Sequence, residues 1–554
     1  MSYPPWIAGL SPVRENPCMR IVPSLALSTQ TAAAPEIRSG QTLSGPLQLE
    51  ADVVVIGSGA GGAMLARQTS QAGLRTVIVE EGGNHSPAVF NQREGDMLPR
   101  LFQDCGGRST TDGSIMVLHG RGIGGSTVHN TNLCKRAPDA ILRRWVSEYG
   151  AVGWSPEDLA ADYAAVEADL SVSMLTEEDV NRNNAVMRRG VQRLGWRGGL
   201  LAHNRRGCTR SGFCELGCSF NAKQNAQKIL IPQALQLGAS VLCDMRVTRI
   251  THERDRATGV TGHALLPDGQ PGPEFTIRAR AVCVCASAIN SAALLRYSEL
   301  PDPYRVAGRS LRLHPGLAVA GQFDEIIEAW NGVPQSFECT EKLSFEPGAR
   351  DRSWLITAFA HPGGYAGIQP GFGRRHAALM QAYPKTAVVA AMLHDETRGE
   401  VDADRHGRPR IRYELTADDA AALWRGVHAA AEILLAAGAK QIMVPLAAPL
   451  FARTAAELSP LLRHRYRPLD PLLTSVHPMG SLPIGGDARR AVLDPHGRHH
   501  QLQGLYVADG SLFPTSLGGP PQLSIYAAGR KVARTVCADL AAPRRAEPQP
   551  AVSR

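Results

Sequence analysis

The chain has 554 residues, of which 44% are hydrophobic and 20% charged, and its formal net charge is +8. This length can bury a large core, and no apolar run reaches the ~18 residues that a membrane-spanning helix needs. The positive charge comes from arginines scattered along the chain, without the basic block or interleaved aromatics of a nucleic-acid surface. The composition therefore predicts a globular protein with no membrane span and no nucleic-acid partner.

The first 48 residues are rich in Pro, Ser and Ala, which predicts an arm that lies over the fold or is partly disordered. They lack the basic and apolar regions of a secretory signal and contain no twin-arginine pair. The eleven cysteines are an odd number in a long chain and fit a reducing compartment better than a disulfide framework. We therefore expect the protein in the cytoplasm.

The first chemical motif is the glycine-rich stretch ADVVVIGSGAGGAMLARQTSQAGLRTVIVEEGG. It predicts a buried strand over Val53–Ile56 and a helix over Ala60–Ala72. Gly57 and Gly59 leave the turn between them without Cβ atoms, so backbone N–H groups and the helix N-terminus can approach a pyrophosphate. Gly62 lets the helix pack closely on the strand.

A second strand follows over Thr76–Val79 and ends at Glu80. An acid at this place is expected to accept hydrogen bonds from a ribose 2′-OH and argues against a 2′-phosphate. Strand, glycines, helix, strand and acid in register are stronger evidence than the glycines alone. The stretch predicts a site for the ADP moiety of NAD or FAD.

The middle of the chain predicts further strands, then a helix N-terminus at Ser287–Ser291 where a cofactor could be met again. From about residue 311 to 474, the period-two stretches GLAVAGQF and KTAVVAAML precede the helix DDAAALWRGVHAAAEILLAAGA. This pattern is typical of a sheet with helices on one face, and we predict a substrate domain there.

Three more motifs carry polar side chains and glycines. In HGRGIGGSTVHNTNLCKRAP, Gly124 and Gly125 let the backbone pass a flat ring, and Ser126 and Asn130 supply polar contacts. SVHPMGSLPIGG puts His477 at a predicted loop tip. GLYVADGSLFPTSLGGPPQLSIYAAGRKVA predicts a strand, an Asp-Gly turn and a helix from Pro521 through Ala533, before a tail without a packable face.

The order and spacing of these motifs over residues 50–536, with LHP at Leu313–Pro315, resemble the glucose-methanol-choline (GMC) family of FAD-dependent oxidoreductases. CTRSGFCELGCSFNAKQNAQKILIPQAL further resembles the branch of cholesterol oxidase-like and long-chain alcohol oxidase-like proteins. The resemblance implies an α/β fold in which a Rossmann-type FAD-binding domain is interleaved with an α+β substrate domain.

The implied domains are an arm (1–48), the main FAD-binding part with cap segments near 140–225 (49–310), the substrate domain (311–474), a return to the FAD-binding domain (475–536) and a disordered tail (537–554). The implied cofactor-binding residues are Gly57, Gly59, Gly62, Glu80, Gly124, Gly125, Ser126, His129, Asn130, Val247, Asp509, Gly510, Pro521, Gln522 and Ser524.

The resemblance also implies the chemistry. His477 would remove the proton of a primary or secondary alcohol as hydride passes to flavin N5, and its ordinary pKa near 6.5 suits that task. The product would be an aldehyde or a ketone. The electrons would pass to O₂ or to a quinone-like or cytochrome-like carrier.

One position departs from the family pattern. Where the family has an Asn or His that bonds the substrate oxygen, this chain has Pro520, which carries neither an N–H nor a polar side chain. Gln522 or a substrate-domain residue would have to replace it, and loss of such a group commonly costs on the order of 10²-fold in rate. This keeps open a non-redox alternative, a hydroxynitrile lyase-like flavoprotein, and behind it a binding-only protein.

Two further features have two interpretations each. In family members with covalent FAD, a histidine occupies the position of His129 and bonds the flavin 8α carbon; otherwise it packs near the ring edge. Cys208, Cys214 and Cys218 lack a second paired motif, so we predict no metal and expect a loop thiol cluster, or one disulfide in an oxidising environment.

Overall fold

The computed structural model describes residues 36–359 and 361–542. Its strands are β1 (Ile37–Ser39), β2 (Leu47–Ile56), β3 (Thr76–Val79), β4 (Ile115–Val117), β5 (Val172–Met174), β6 (Gly198–Leu200), β7 (Ala202–Asn204), β8 (Ser240–Cys243), β9 (Met245–Glu253), β10 (Arg256–Leu265), β11 (Pro271–Val284), β12 (Gly316–Gln322), β13 (Phe337–Cys339), β14 (Ser353–Thr357), β15 (Thr386–Leu393), β16 (Glu400–Ala403), β17 (Pro409–Arg412), β18 (Gln441–Val444), β19 (Leu450–Ala452), β20 (Leu473–Ser475) and β21 (Leu505–Val507).

The α-helices are α1 (Ala60–Gln71), α2 (Glu94–Leu101), α3 (Asp139–Tyr149), α4 (Pro156–Asp169), α5 (Arg182–Leu194), α6 (Ala226–Gln236), α7 (Ser287–Tyr297), α8 (Pro362–Ile368), α9 (Arg374–Gln381), α10 (Ala417–Ala436), α11 (Ala455–Leu458) and α12 (Gln522–Ala541). The predicted strand, helix and second strand of the glycine motif are confirmed as β2, α1 and β3.

The first sheet has eight strands and is mostly parallel. Strands β1, β8, β3, β2 and β11 run parallel in that order, and β10 and β9 continue it antiparallel. β21, which comes from near the end of the chain, pairs in parallel with the last residues of β11. The helices α1, α6 and α12 pack together beside this sheet. The Rossmann-type part of the predicted fold is confirmed, since the strands of this sheet are mostly parallel and the apolar end of β2, Val53–Ile56, is buried at its centre.

The second sheet has nine strands, with the order β19, β18, β12, β15, β14, β13, β6, and β20 joins β12 to β4. Helix α10 covers one face, where Gly321 lies against Leu434 and Ala391 lies against Gly426. Helix α5 packs beside α10 on the same sheet. The prediction of a sheet with helices on one face is confirmed, and the opposite face lines a cavity, as Ala318 and Ala390 show.

The structure corrects both predicted ends of the ordered chain. Ile37–Ser39, placed in the arm, pairs with β8 and extends the first sheet at its edge; residues 1–35 lie outside the described residues. Helix α12 continues to Ala541, since Asp539 accepts hydrogen bonds from Arg498 and Tyr506, so residues 537–541 are not part of a disordered tail. The rest of that predicted tail, 543–554, lies outside the described residues.

Segments of the two sheets alternate along the chain. β4 and β6, which precede the predicted substrate domain, belong to the second sheet, because β4 pairs with β20 and β6 with β13. No helix within residues 36–359 and 361–542 combines the length and the hydropathy required to cross a bilayer.

Candidate functional site

A cavity of about 1210 Å³ lies between the two sheets. It runs from the glycine turn at Gly57–Gly59 to His477, and is lined on its far side by the open face of the second sheet, including Trp354 and Met392. Pockets for drug-sized ligands usually measure about 300–1,000 Å³, so this cavity has room for a dinucleotide and a small substrate.

The glycines of the turn have different surroundings. Gly57 has φ +96°, a conformation that other residues rarely adopt. A Cβ at Gly62 would lie 2.0 Å from the carbonyl oxygen of Gly57, so Gly62 allows helix α1 to pack on the strand as predicted. A Cβ at Gly59 would have no heavy atom within 4 Å, because this residue faces the cavity, where a pyrophosphate can approach.

Gly61 is a functional glycine that the sequence analysis missed. A Cβ there would lie 1.6 Å from the carbonyl oxygen of Ala508 at the end of β21, closer than at any of the three predicted glycines. The contact joins the beginning of α1 to a strand more than 400 residues later. The motif spacing shows a glycine at 61 but not its partner, so only the fold reveals why it is needed.

Glu80 lies at the cavity, but its carboxylate is bound by the protein itself. Oε2 accepts hydrogen bonds from Ser58 N (3.0 Å) and Ser58 Oγ (2.6 Å), and Oε1 from Gly82 N (2.9 Å) and Gly122 N (3.0 Å). Burial raises the pKa of Glu80, while these donors all favour the ionised form. The carboxylate therefore ties three loops together at the nucleotide end, and the hydrogen bond from a ribose hydroxyl to Glu80 stays a prediction.

The neighbouring Glu81 also lines the cavity and was not predicted. Its Oε1 accepts hydrogen bonds from Gln103 (3.0 Å) and Arg246 (2.9 Å). Burial opposes ionisation of this carboxyl, but the charge of Arg246 outweighs it and lowers its pKa below the usual value. The sequence VIVEEGG shows a second acid after the strand, but it does not show that Arg246 is the partner of this acid.

The predicted flavin loop folds against the glycine turn. Gly124 has φ +93°, and its N–H donates to Ser58 Oγ over 3.1 Å. Gly125 packs beside Gly59, with a hypothetical Cβ 3.1 Å from the Cα of Gly59. Ser126 Oγ accepts a hydrogen bond from Gly120 N (2.8 Å) and lines the cavity. The two glycine motifs therefore form one wall.

Asn130 and Gln522, both predicted to contact the cofactor, bond to each other. Asn130 Nδ2 donates to Gln522 Oε1 (2.7 Å), and Gln522 Nε2 donates to the carbonyl oxygen of Leu133 (2.5 Å). Gln522 is thus committed at both ends of its amide, and the expectation that it replaces the missing polar group at Pro520 is corrected. Pro520 itself lines the cavity.

The beginning of α12 differs in detail from the prediction. Pro521 is the N-cap and lines the cavity, and Gln522 is the first helical residue. Ser524 is buried, and its Oγ lies 2.8 Å from the hydroxyl of Tyr163, away from the cavity lining. We therefore withdraw Ser524 as a cofactor contact; helical spacing alone did not reveal which way it faces.

Asp509 joins two segments that were each predicted to meet the cofactor. Its carboxylate accepts hydrogen bonds from Ser291 Oγ (2.5 Å) in α7 and from Ser511 N (2.8 Å). Burial raises its pKa, and the hydroxyl of Ser291 opposes that effect. Asp509 and Gly510 both line the cavity, as does Val247 of β9.

His129 is buried at the cavity wall, and one of its ring nitrogens makes no hydrogen bond to the described residues. Its ring centroid lies 3.9 Å from that of Phe102, and its Nε2 has no hydrogen-bond partner among the described residues. Burial, with the nearby Lys223 ammonium, lowers the pKa of His129 to about 3, so the imidazole is neutral. A neutral, unpaired ring nitrogen fits both interpretations of this residue, a covalent link and simple packing.

Lys223 holds the segment around His129 in place and was not predicted. Its buried ammonium donates to the carbonyl oxygens of Val128 (2.9 Å), Asn130 (2.5 Å) and Cys214 (2.9 Å). Burial lowers the pKa of Lys223. Cys214 also lines a small second cavity with Cys208 and Cys218, which brings the predicted thiol cluster together. Among the described residues no group of His, Cys, Asp or Glu is arranged to hold a metal ion.

His477 lies at the other end of the cavity. It follows β20, and its Nδ1 lies 2.8 Å from Nδ1 of His314, the histidine of the LHP motif. Burial, with the adjacent His314, holds the pKa of His477 well below its usual range, so the ring is neutral at pH 7. The predicted loop tip is corrected: His477 is half-buried and paired with a second histidine that the sequence analysis quoted but did not assign.

Family models match three parts of the chain. A FAD binding domain model matches residues 52–90, and two models described as GMC oxidoreductase match residues 98–316 and 395–529. The two GMC segments include Gly124, His129, His314, His477 and Asp509. They therefore cover both ends of the cavity.

Individual relatives cover most of the chain. An uncharacterized GMC-type oxidoreductase of Mycobacterium tuberculosis is 34% identical over 509 residues, covering 91% of this chain and 78% of its own. A long-chain-alcohol oxidase of Arabidopsis thaliana is 26% identical over 507 residues, covering 86% of this chain and 66% of its own. The crystal structure of pyridoxine 4-oxidase from Mesorbium loti superposes with a TM-score of 0.65 at 18% identity, covering 87% of this chain and 98% of that one, and this likeness shows the fold.

Proposed function

Because the chain belongs to the GMC oxidoreductase family, a family of FAD-dependent enzymes, we propose that it oxidises a primary or secondary alcohol to an aldehyde or ketone, with His477 as the base. The observation that carries the proposal is the continuous cavity of about 1210 Å³, which joins the glycine turn to a neutral, half-buried imidazole.

The residues at the cavity fit FAD. Gly57 and Gly59 with the N-terminus of α1 would hold the pyrophosphate, and the 124–130 loop with Asp509-Gly510 would hold the flavin. The cofactor, when bound, supplies the hydride acceptor. The N-terminus of α12 at Pro521 faces the same cavity and favours negative charge there.

His477 supports the proposal through its protonation state. A neutral imidazole can accept the proton of a substrate hydroxyl, and burial keeps it neutral well below pH 7. Because its Nδ1 is paired with His314, the other ring nitrogen, Nε2, is the one that would accept the proton of a bound hydroxyl. Pro520 adds no polar group at this end of the cavity.

The lining of the substrate end indicates an apolar alcohol. Trp354, Ile356, Ala390 and Met392 present the open face of the second sheet to the cavity, and Leu133 closes one side. Burial of apolar area stabilises a bound substrate by about 25 cal/mol per Å². The similarity to a long-chain-alcohol oxidase agrees with this substrate class.

The test is anaerobic mixing of the yellow holoprotein with 1-octanol, cyclohexanol and ethanol. We expect loss of the visible flavin band, fastest with the apolar alcohols, and reoxidation either by O₂ or by an added quinone or dye. Turnover of a cyanohydrin without loss of the band would support the lyase alternative that Pro520 leaves open. A holoprotein reduced by none of these alcohols and showing no lyase turnover would contradict both.

We further propose that His129 forms the covalent bond to FAD, since its unpaired Nε2 is buried at the cavity wall. Acid precipitation of the holoprotein should leave the yellow colour in the pellet, and His129→Ala should move it to the supernatant. His119→Ala, a buried histidine on the same wall, is the matched control and should keep the colour in the pellet. Colour in the wild-type supernatant would mean that His129 only packs against the ring.

For the compartment we keep the cytoplasm as a proposal. The ten cysteines within the described residues are all free thiols, which agrees with a reducing environment. Localisation of a fluorescent fusion would test it.

A further inference from the structure

His314 lies beside His477 because the two segments that carry them pair as antiparallel strands. Arg312 N donates to the carbonyl oxygen of Met479 (2.7 Å), and Met479 N donates to that of Arg312 (2.9 Å), so these residues form an antiparallel bridge. His314 follows Arg312 by two residues and His477 precedes Met479 by two, so the antiparallel pairing brings the two histidines opposite each other on one face. Their Nδ1 atoms are 2.8 Å apart, and the rings stack with centroids 5.0 Å apart.

The backbone next to His314 is fixed by two hydrogen bonds, both at Leu313. Leu313 N donates to Asp395 Oδ2 (2.9 Å), which also accepts a hydrogen bond from Tyr413. The carbonyl oxygen of Leu313 accepts a hydrogen bond from Ser475 in β20. His314 itself is fully buried and does not line the cavity, so it lies behind His477 as seen from a bound substrate.

A bond between two Nδ1 atoms restricts the protons of both rings. A neutral imidazole carries one N–H and one lone pair, so one Nδ1 must donate and the other accept. Burial, with His394 nearby, lowers the pKa of His314 to about 3, so it is neutral at pH 7. If His314 donated, His477 would carry its proton on Nε2 and could not accept one from a substrate hydroxyl.

We propose that His314 is the positioning residue of the reaction: its Nδ1 lone pair accepts the Nδ1–H of His477 and leaves Nε2 of His477 free to take the substrate proton. This assignment rests on the proposed role of His477 as the base. When Nε2 takes that proton, the resulting imidazolium keeps its Nδ1–H directed at the same lone pair. With His477 protonated on Nδ1, a proton on Nδ1 of His314 would set two N–H groups head to head at 2.8 Å. His314 then carries its own proton on Nε2, which is buried and has no hydrogen-bond partner among the described residues.

The role of His314 differs from that of the Asn or His which the family has at the position of Pro520, because His314 contacts His477 and not the cavity. In this pocket Pro520 has no side-chain polar atom, and both ends of the Gln522 amide are bonded to Asn130 and Leu133. The hydrogen bond that the structure gives His477 within the described residues joins it to His314, which lies in the segment that leads into the second sheet. The imidazolium is therefore stabilised from behind and not from the substrate side.

Two substitutions separate hydrogen bonding from packing. In His314→Asn the amide Oδ1 stands where the imidazole Nδ1 stands and can accept the same N–H, and Asn tolerates the φ of +50° at this position. His314→Ala removes the acceptor. Hydrogen bonds to charged groups are strong enough that we expect flavin reduction by 1-octanol to slow roughly 10- to 100-fold in the alanine variant. The asparagine variant should stay within about 5-fold of the wild type, with unchanged alcohol affinity in both.

The direct test is the tautomer, read from the ring nitrogen signals of holoprotein labelled with ¹⁵N-histidine and assigned with His477→Gln and His314→Asn. We expect wild-type His477 to be protonated at Nδ1 and not at Nε2. Protonation at Nε2 would overturn the proposal whatever the activity, as would equal slowing in the alanine and asparagine variants. If no alcohol reduces the wild-type flavin, the proposed function fails, and the tautomer alone then decides the role of His314.

Discussion

The two ends of the cavity are built from different materials. At the nucleotide end, glycines and backbone N–H groups make the surface, and Glu80 gathers four donors from Ser58, Gly82 and Gly122. At the end where we propose catalysis, the catalytic end, side chains make the contacts, with His477 paired to His314 across two segments 163 residues apart. The first end therefore depends on how closely backbones approach, and the second on how two imidazole rings are paired.

The largest expected effect is at Gly61. Gly61→Ala would put a Cβ 1.6 Å from the carbonyl oxygen of Ala508, so helix α1 and strand β21 would have to separate. We expect loss of about 3 kcal/mol or more of stability and little FAD-containing protein, measured by thermal unfolding and flavin absorbance. Gly59→Ala is the control, since its Cβ would meet no heavy atom within 4 Å, and its apoprotein should unfold at the wild-type temperature. Equal unfolding temperatures for the two variants would contradict this account of the nucleotide end.

The next effect tests whether Glu80 acts on the protein or on the cofactor. In Glu80→Gln, the amide NH₂ would replace one carboxylate oxygen and would face N–H or O–H groups that donate to that oxygen in the wild type. We therefore expect the free energy of unfolding of the apoprotein to fall by about 2–4 kcal/mol. Denaturant unfolding without FAD measures it. Glu81→Gln keeps a hydrogen-bonding oxygen for Gln103 and should cost less. An apoprotein unaffected by Glu80→Gln would show that Glu80 contributes little to the fold and would favour the ribose contact as its main role.

At the catalytic end, His477→Ala should spare the fold and remove the base. We expect FAD to stay bound while flavin reduction by 1-octanol slows at least ~10²-fold, since general-base catalysis contributes about that much. Rapid mixing without oxygen measures the rate. His252→Ala, an exposed histidine on β9, should leave it unchanged. A wild-type rate in His477→Ala would place the base elsewhere and would end the proposed assignment.

The smallest effect is expected at Pro520. Pro520→Asn adds a hydrogen-bond donor at the cavity wall where this chain has none, whereas Pro520→Ala removes the ring and adds no polar group. We expect the asparagine variant to reduce faster than the alanine variant, by up to about 10-fold. The reverse order, measured with 1-octanol, would mean that the pocket uses Pro520 as an apolar wall for its substrate.

Much of the nucleotide end was predictable from the sequence. Val53–Ile56, Gly57, Gly59, Gly62 and the strand ending at Glu80 lie close in the chain, and local periodicity with glycine spacing predicts their order and shape. The partners of Glu80 were not predictable, because Gly122 is 42 residues away and bonds through its backbone. Backbone groups carry no sequence signal, so any residue can be such a partner.

The catalytic end was predictable only in part. The HPMG motif pointed to His477, but neither its burial nor its pairing with a second histidine could be predicted. His314 belongs to a different motif, 163 residues away in the chain. Gln522 and Ser524 were assigned from the resemblance to the family, and in the structure Gln522 bonds to Asn130 and Ser524 to Tyr163. A helix start predicts which residues are near a cavity, and rotation about the helix axis decides which of them face it.

The sequence by itself therefore determined the family, the two-sheet fold, the FAD cofactor and the motif whose histidine, His477, lines the cavity. The strands and helices follow from patterns within short stretches, where hydrophobic period and glycine spacing are dictated by strand and helix geometry. The family, FAD and His477 follow from the resemblance that the motifs carry together. Only the tertiary structure decided that Glu80 ties loops together, that Gly61 is needed for α1 to meet β21, and that His477 has His314 behind it. Those contacts join residues from 42 to 447 positions apart, and they depend on how the two sheets are packed, which no local pattern records.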